Sequence, residues 1–244
     1  MKILGIDYET GGPDANDFEG NFITEIGAVL WDTDFNAPVK IMSKILNHEK
    51  EIDPFIEEYT GITTEMCAAH GENDLFSAYS EVGHMIKEAD YVVAHNGTGF
   101  DKPLTDVFFK RLNLGEYDTP WIDTKTDVPY PRTCLQKNLT YLSAFHRILP
   151  GGHRAIFDVM AMLEIMFKYD LKEVIRISKS ALLRITAHVG FEDKELAKEA
   201  GFRWDPKKKT WFKEMKECFY TDAIKNEWSF IYSSAPVEMS TYTP

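Results

Sequence analysis

Four separated segments of the chain carry acidic or imidazole side chains at positions that do not suit ordinary core packing. They contribute Asp7 with Glu9, then Asp101, then His153, then Asp158. Because side chains alternate along a strand, Asp7 and Glu9 would project from the same side of the apolar run that begins the chain. Two carboxylates on one face repel each other unless a cation lies between them. The set therefore predicts a site that holds divalent metal ions and hydrolyses a phosphodiester.

The segment from 154 to 168 predicts an apolar helix in which Asp158 lies among the apolar residues. Its apolar residues cover most of the helix circumference: Ala155, Ile156, Val159, Met160, Met162, Leu163, Met166 and Phe167. A buried acid needs a partner, so Asp158 is the member of the set that a structural role explains least well. His153 precedes this helix after two glycines, and we expect it to lie in a mobile loop. A mobile imidazole suits a base that takes a proton from water.

The remaining elements must position these residues. Periodicity and turn residues predict strands near 2–9, 22–31, 39–46, 90–95 and 121–124, and helices from 53, over 73–87, from 101 and over 138–148. Strands in a meander, followed by strands that alternate with helices, indicate an α/β fold with a mixed sheet flanked by helices.

Length, charge and cysteine content limit the possible classes of protein. The 244 residues suit one large domain with a small appendage, and the three scattered cysteines favour neither a disulfide framework nor a thiolate zinc site. The sequence predicts no membrane span or signal peptide, so we expect a cytoplasmic protein. The net charge of −12 argues against binding nucleic acid through bulk positive charge. Bound metal ions could still supply positive charge locally.

Three motifs resemble those of the DEDDh family of 3′-to-5′ exonucleases. In order they are Asp7-Tyr8-Glu9-Thr10, His95-Asn96 with Phe100-Asp101, and the run from His153 to Asp158. The family includes the proofreading subunit of bacterial DNA polymerase III, exonuclease X and oligoribonuclease, and the resemblance covers roughly residues 1–170. It implies a ribonuclease H-like fold in which four acids hold two divalent ions, Mg²⁺ or Mn²⁺: Asp7, Glu9, Asp101 and Asp158. It also implies that His153 is the general base and that Glu9 could contact the terminal 3′-hydroxyl.

The second motif is one residue longer than is common in the family, because Gly97, Thr98, Gly99 and Phe100 separate Asn96 from Asp101. We expect a loop bulge to absorb the extra residue and Asp101 to keep its role. Taken alone, Asp101 would be read as a helix N-cap and His153 as a surface histidine.

Further contacts with nucleic acid are predicted for Thr10, Gly11, His95 and Asn96. For His95 and Asn96, a structural role in bracing the loop is favoured over a catalytic one.

The chain after about residue 178 predicts a separate small module. We place the exonuclease domain at 1–178, the accessory domain at 179–228 and a tail at 229–244, in which residues from 233 onward form either a weakly ordered end or a lid over a neighbour. The accessory domain reads as a strand, a short helix and a hairpin, and it is similar to an uncharacterised small domain of phage and plasmid proteins. Its lysines, Lys207, Lys208 and Lys209, could bind phosphates while Trp204 and Trp211 stack on bases. The alternative favoured for the tryptophans is that both form the core of the module.

The sequence thus predicts a metal-dependent 3′-to-5′ exonuclease that releases nucleoside 5′-monophosphates from single-stranded or frayed DNA ends. An RNA-trimming enzyme of the same superfamily is the nearest alternative, since no residue identifies the sugar. A catalytically idle nucleic-acid-binding scaffold and a metal-binding regulator are the alternatives from other classes. The presence of all five site residues counts against the scaffold. The oligomeric state is left open.

Overall fold

The chain folds into two compact units that divide between Val174 and Ile175. The computed structural model describes residues 1–12, 14, 17–149, 152–187, 189–190, 192–228 and 231–236. Each unit has its own sheet and its own hydrophobic core. In the part of the chain so described, no helix combines the length and the apolar character needed to span a bilayer. The domain boundaries predicted from the sequence, at 178 and 228, stay predictions.

The N-terminal unit is built on a five-stranded mixed sheet in the order β3-β2-β1-β4-β5. The strands are β1 (Lys2–Thr10), β2 (Ile23–Asp32), β3 (Ala37–Ile45), β4 (Tyr91–Ala94) and β5 (Trp121–Asp123). The first three form an antiparallel meander, whereas β4 runs parallel to β1 and β5 runs parallel to β4. The predicted mixed α/β sheet is confirmed.

Helices flank the sheet. They are α1 (Pro54–Thr60), α2 (Thr64–His70), α3 (Leu75–Glu88), α4 (Asp101–Arg111), α5 (Thr124–Asp127), α6 (Leu139–His146) and α7 (Ala155–Met166). A further helix, α8 (Leu171–Ser178), contains the division between the two units. Helices α1, α2, α3 and α6 begin at side-chain caps, namely Asp53, Thr63, Asp74 and Asn138. The sequence interpretation missed α2, α5 and α8.

Strand β1 separates the core from the acidic face of the sheet. Leu4, Ile6 and Tyr8 are buried on one face, in the cluster that also contains residues of α3 and α4. Because side chains alternate, Asp7 and Glu9 point to the opposite face, which α7 covers.

Glycine lets α7 approach this face closely. A Cβ atom at Gly27 of β2 would lie 2.4 Å from the backbone carbonyl carbon of Ala155, so any larger residue would push the start of the helix away. On β1, a Cβ atom at Gly5 would lie 2.8 Å from side-chain carbons of Val159 and Leu163. The first turn of α7, which carries Asp158, is therefore held directly against the sheet.

The C-terminal unit is a four-stranded antiparallel sheet in the order β7-β8-β6-β9 with two short helices. Its elements are β6 (Leu182–Ala187), α9 (Lys194–Glu199), β7 (Arg203–Asp205), β8 (Thr210–Lys216), α10 (Asp222–Glu227) and β9 (Ile231–Pro236). Its core contains the buried residues Leu183, Ile185, Ala187, Ala197, Phe202 and Trp228.

Strand β9 corrects the prediction of a weakly ordered end from residue 233. The strand pairs with β6 through Pro236, so its Ser/Pro-rich sequence is held by backbone hydrogen bonds to a neighbouring strand. Residues 237–244 of the predicted tail lie outside the described residues.

Candidate active site

Three of the predicted acids form one cluster. Carboxylate oxygens of Asp7, Glu9 and Asp158 all lie within 4.8 Å of one another. Asp7 and Glu9 come from β1, and Asp158 comes from the first turn of α7. The cluster is thus assembled by the alternation of one strand and by the close approach of one helix.

The cluster is electrostatically costly when it holds no cation. Burial, followed by the Asp158 and Glu25 carboxylates, raises the pKa of Asp7 to about 8. Burial and the neighbouring Asp7 raise the pKa of Glu9 to about 9. A divalent cation would offset this repulsion, and hard cations such as Mg²⁺ and Mn²⁺ prefer oxygen ligands of this kind.

Asp101 lies next to this cluster but outside the three-residue group. It is the first residue of α4 and is only 1% exposed. Its Oδ1 accepts a hydrogen bond of 3.2 Å from the backbone N–H of Tyr8, the residue between Asp7 and Glu9. Burial, and then the charge of Asp7, raises the pKa of Asp101. The N-cap position belongs to Phe100, so Asp101 does not have the simple capping role that its local sequence suggests.

The loop before Asp101 contains a short 3₁₀ turn, Gly97–Gly99. Asn96 enters the turn in the left-handed region, at φ 64°. The buried Asp123 carboxylate holds the turn, because it accepts hydrogen bonds from the backbone N–H groups of Asn96 (2.9 Å) and Thr98 (3.3 Å). This loop is therefore a defined turn held by an acid at the end of β5, and its absorbing an extra residue stays a prediction.

His95 and Asn96 are also engaged by side chains. The Nδ1 atom of His95 lies 2.9 Å from the hydroxyl of Thr124, and Lys125 donates a 2.9 Å hydrogen bond to the side-chain oxygen of Asn96. Burial lowers the pKa of His95. These contacts support the bracing role that the sequence favoured, whereas contact of either residue with nucleic acid stays a prediction.

His153 lies in the loop that leads into α7 and packs against an aromatic ring. Both Gly152 and His153 adopt positive φ angles, 67° and 59°. The imidazole centroid lies 4.0 Å from that of Tyr59, and Tyr59 in turn stacks on the exposed Phe55 at 6.2 Å. Burial, and then the charges of Glu9 and Asp158, raise the pKa of Tyr59.

Glu25 supports the site, and the sequence analysis did not include it among the site residues. It is fully buried in β2, and Nη2 of Arg154 donates a 2.8 Å hydrogen bond to it. Its other oxygen accepts the backbone N–H of Ala155 at 2.9 Å. Because Arg154 provides no side-chain cap of its own, Glu25 stabilises the start of α7 between His153 and Asp158.

A signal for Glu25 and Asp123 was present in the sequence. Each is an acid within or at the end of an apolar strand, the same anomaly that identified Asp158. Their partners lie 129 and 27 residues away, in Arg154 and Asn96, so local patterns could not reveal what they hold.

Thr10 and Gly11 are largely covered at the end of β1. Thr10 is 8% exposed, and the carbonyl of Gly11 accepts the backbone N–H of Asp53, the cap of α1. Their predicted contact with nucleic acid is not tested by these positions.

The remaining predicted contacts lie in the C-terminal unit. Lys207, Lys208 and Lys209 are exposed on the turn between β7 and β8. Trp211 is partly buried against the core of this unit, whereas Trp204 is 48% exposed. The favoured alternative that both tryptophans form the core is therefore wrong for Trp204.

Two protein families match the chain. Residues 4–166 match a family described as exonuclease, and residues 183–226 match a domain of unknown function. The first match spans both elements that carry the acid cluster, and the second spans most of the C-terminal unit.

Two curated relatives resemble part of this chain. A PolC-type DNA polymerase III of Mycoplasma genitalium is 28% identical over an alignment of 153 residues that covers 57% of this chain and 10% of the relative. An uncharacterized exonuclease of Acanthamoeba polyphaga mimivirus is 29% identical over an alignment of 139 residues that covers 54% of this chain and 42% of the relative. The chain therefore spans less than half the length of either protein.

Solved structures of exonuclease I show the same fold. One matches with a TM-score of 0.60 at 16% identity and covers 76% of this chain and 48% of its own. E. coli exonuclease I in complex with a dA16 oligonucleotide matches with a TM-score of 0.57 at 17% identity, over the same shares of the two chains. A zinc-bound complex of the E. coli enzyme with single-stranded DNA matches with a TM-score of 0.60 at 16% identity, covering 80% and 49%.

Proposed function

From the premise that this chain belongs to the exonuclease family, which its match over residues 4–166 shows, we propose that it is a metal-dependent 3′-to-5′ exonuclease. Its products would be nucleoside 5′-monophosphates released from single-stranded or frayed DNA ends. The resemblance to exonucleases inferred from the motifs is confirmed at the level of the family. The observation that carries the proposal is the clustering of Asp7, Glu9 and Asp158 within 4.8 Å.

The composition of the cluster fits hard divalent cations. Asp7, Glu9 and Asp158 offer only carboxylate oxygens, and Asp101 adds a fourth acid beside β1. We propose that these four residues hold two ions, Mg²⁺ or Mn²⁺. Such ions, when bound, would neutralise charge on the scissile phosphate and make a bound water more acidic.

His153 is the proposed proton acceptor for the attacking water. Two features support this role: its loop leads directly into the helix that carries Asp158, and its ring contacts Tyr59, whose pKa is raised by burial and by the charges of Glu9 and Asp158. Glu25 and Arg154 would fix the start of that helix, so the base and the acid would keep a constant spacing during turnover.

The remaining protein groups would orient the DNA. Glu9, near the end of β1, is proposed to contact the terminal 3′-hydroxyl of the DNA. Four further residues are proposed to contact the DNA beside that hydroxyl: Thr10, Gly11, His95 and Asn96. The preference for DNA is supported by the similarity to exonuclease I, whose solved complexes contain single-stranded DNA and a dA16 oligonucleotide.

The test uses 5′-labelled DNA and RNA oligonucleotides with Mg²⁺, Mn²⁺ or a chelator. We expect a ladder that shortens from the 3′ end of DNA only when metal is present. Asp158→Asn should abolish it, because the cluster loses a charged ligand. Glu164→Gln is the matched control, since Glu164 lies on the same helix with its side chain 62% exposed. Cleavage in the chelator, or by Asp158→Asn, would contradict the metal proposal, and faster cleavage of RNA would transfer it to the RNA-trimming class.

A further inference from the structure

We propose that the C-terminal unit binds single-stranded DNA along its β7–β8 hairpin, with Trp204 stacking on a base and Lys207, Lys208 and Lys209 contacting phosphates. This rests on the proposed function, because it takes the bound strand to be the substrate of the exonuclease. It assigns a binding surface to a domain whose family is of unknown function.

The first observation is an exposed indole on the edge of the sheet. Strand β7 is an edge strand, and Trp204 is 48% exposed on it. Its cross-strand partner is Trp211, at 5.6 Å between ring centroids and 59° between ring planes. Trp211 packs against the core, so it fixes one side of Trp204 and leaves the remaining surface available. Stacking on such a surface is tolerant of sequence, because every base has a π-face.

The second observation is a turn with a fixed backbone and unpaired charges. Oδ1 of Asp205 accepts the backbone N–H groups of Lys207 and Lys208, each at 3.0 Å, and Oδ2 accepts Nη2 of Arg184 at 2.7 Å. The acid of the hairpin is thus occupied by the backbone and by an arginine of β6. It organises the turn without pairing with the turn lysine side chains.

The lysines of the turn differ from others in the same unit. Lys198 pairs with Glu195 at 2.7 Å, and Lys225 pairs with Asp222 at 3.2 Å. In contrast, none of the three turn lysines forms an ion pair with another described residue. In a chain with a net charge of −12, three adjacent exposed and unpaired cations are a local exception.

The combination favours a single strand as the ligand. Unpaired lysines bind any polyanion, but an exposed tryptophan beside them adds affinity only where a base is free to stack. In a duplex the bases are already stacked on one another. Arg203, next to Trp204 in β7, has a side chain that is 69% exposed but pairs with Glu214 at 3.8 Å, so it does not belong to the unpaired set.

The test measures binding of the full-length protein to a fluorescein-labelled oligo(dT) by anisotropy, in a chelator, over a series of salt concentrations. The variant Lys207→Gln/Lys208→Gln/Lys209→Gln is compared with Lys194→Gln/Lys198→Gln/Lys225→Gln, which removes the same charge from helices α9 and α10. We expect the turn variant to bind at least about tenfold more weakly, with a slope of log K against log salt that is smaller by about 2. The control should bind within about twofold of the parent. Equal weakening by the two variants, or by neither, would overturn the proposal.

Trp204 is tested separately. Trp204→Ala should weaken binding about tenfold while leaving the salt slope unchanged, and Trp204→Phe should retain most of the affinity. Far-UV circular dichroism establishes that each variant is folded. Unaltered affinity in a folded Trp204→Ala variant would remove the stacking part of the proposal.

A small substrate separates failure of this inference from failure of the proposed function. The p-nitrophenyl ester of thymidine 5′-monophosphate carries one phosphodiester and no strand. If the exonuclease proposal is right, the parent and all of these variants should hydrolyse it equally with Mn²⁺. Hydrolysis together with identical DNA binding in every variant would overturn the binding surface alone, and no hydrolysis by the parent would count against the catalytic proposal.

Discussion

The two units of this protein place groups of like charge in opposite environments. The N-terminal unit brings Asp7, Glu9 and Asp158 within 4.8 Å of one another, and the pKa of Asp7 rises to about 8. The C-terminal unit places three lysines on an exposed turn, where Asp205 accepts hydrogen bonds from the backbone N–H groups of two of them, Lys207 and Lys208. One unit therefore concentrates like charges against its core, and the other spreads like charges into solvent.

This difference shows what each arrangement is suited to do. Acids in a shielded cluster destabilise the fold until a cation binds. The groups that hold the cation are therefore already in position when the charged substrate arrives. Exposed lysines cost the fold little and contribute only when a polyanion approaches. The comparison predicts that substitutions in the first unit change turnover and stability, whereas substitutions on the hairpin of the second change binding.

The largest expected effect separates turnover from binding. His153→Ala should lower kcat by about 10²–10⁴-fold with KM within about threefold, because a general base acts in the transition state. The Lys207→Gln/Lys208→Gln/Lys209→Gln variant should instead raise KM and leave kcat nearly unchanged. Steady-state cleavage of an oligonucleotide measures both constants.

The control for this experiment is His70→Ala, an exposed histidine at the end of α2. More than a tenth of the parental kcat in His153→Ala would show that another group accepts the proton. A fall in kcat for the triple lysine variant would contradict the expectation that substitutions on the hairpin change only binding.

The next effect concerns the buried ion pair. Arg154→Met leaves Glu25, which is fully buried, without its charged partner. We expect the free energy of unfolding to fall by about 3 kcal/mol, at the lower end of the range for a broken buried pair because Arg154 is one-third exposed. Urea denaturation measures the change, and adding Glu25→Gln to Arg154→Met should restore part of the loss.

Two control variants compare this loss of stability with the effect of substitutions elsewhere in the molecule. Arg111→Met breaks an exposed pair with Glu19 and should cost under about 1 kcal/mol. The triple lysine variant of the turn should change stability by less than about 0.5 kcal/mol. If the double variant Glu25→Gln/Arg154→Met were no more stable than Arg154→Met, an unpaired buried acid could not be the cause.

A smaller effect follows from the raised pKa values. In the metal-free protein the folded state holds protons on Asp7 and Glu9 up to pH of about 8 and 9, whereas the unfolded chain releases them near pH 4. The folded state thus binds more protons in this interval, so stability should fall as the pH rises from about 4 to 9. Thermal unfolding in a chelator measures this trend, and Mn²⁺ should raise the midpoint more at pH 8 than at pH 5.

Asp7→Asn sharpens that prediction. It removes one repelling charge, so the metal-free variant should unfold at least about 2 °C higher than the parent at pH 8, the shift that 1 kcal/mol produces in a chain of this size. The same variant should be inactive and should gain little from Mn²⁺. An unchanged or lower midpoint at pH 8 would show that the three acids do not destabilise the fold.

The sequence predicted the parts of this site that local patterns encode. Alternation along β1 places Asp7 and Glu9 on one face, and an acid among the apolar residues of the first turn of α7 identifies Asp158. The five-stranded mixed sheet followed from the same periodicities. These signals depend only on residues close together in the chain.

What the sequence did not predict depends on distant contacts. The pairing of Glu25 with Arg154 joins residues 129 positions apart, and no local pattern links them. Strand β9 has the composition of a loop and becomes a strand because β6 supplies hydrogen-bond partners. The exposure of Trp204 is set by the position of β7 at the edge of its sheet, which the hairpin sequence does not reveal.

The smallest predicted effect compares two exposed aromatic residues, one from each unit. Tyr59, 52% exposed, contacts the ring of His153, whereas Trp204 contacts another tryptophan on a sheet edge. If Tyr59 positions the base, Tyr59→Ala should lower kcat about fivefold and change its dependence on pH, with KM unchanged. Tyr59→Phe should retain activity, because the contact is between rings and does not use the hydroxyl. Trp204→Ala should instead raise KM and leave kcat alone. A rise in KM for Tyr59→Ala would mean that Tyr59 and its stacked neighbour Phe55 bind a base as Trp204 is proposed to do, and aromatic residues of the two units would then share one role.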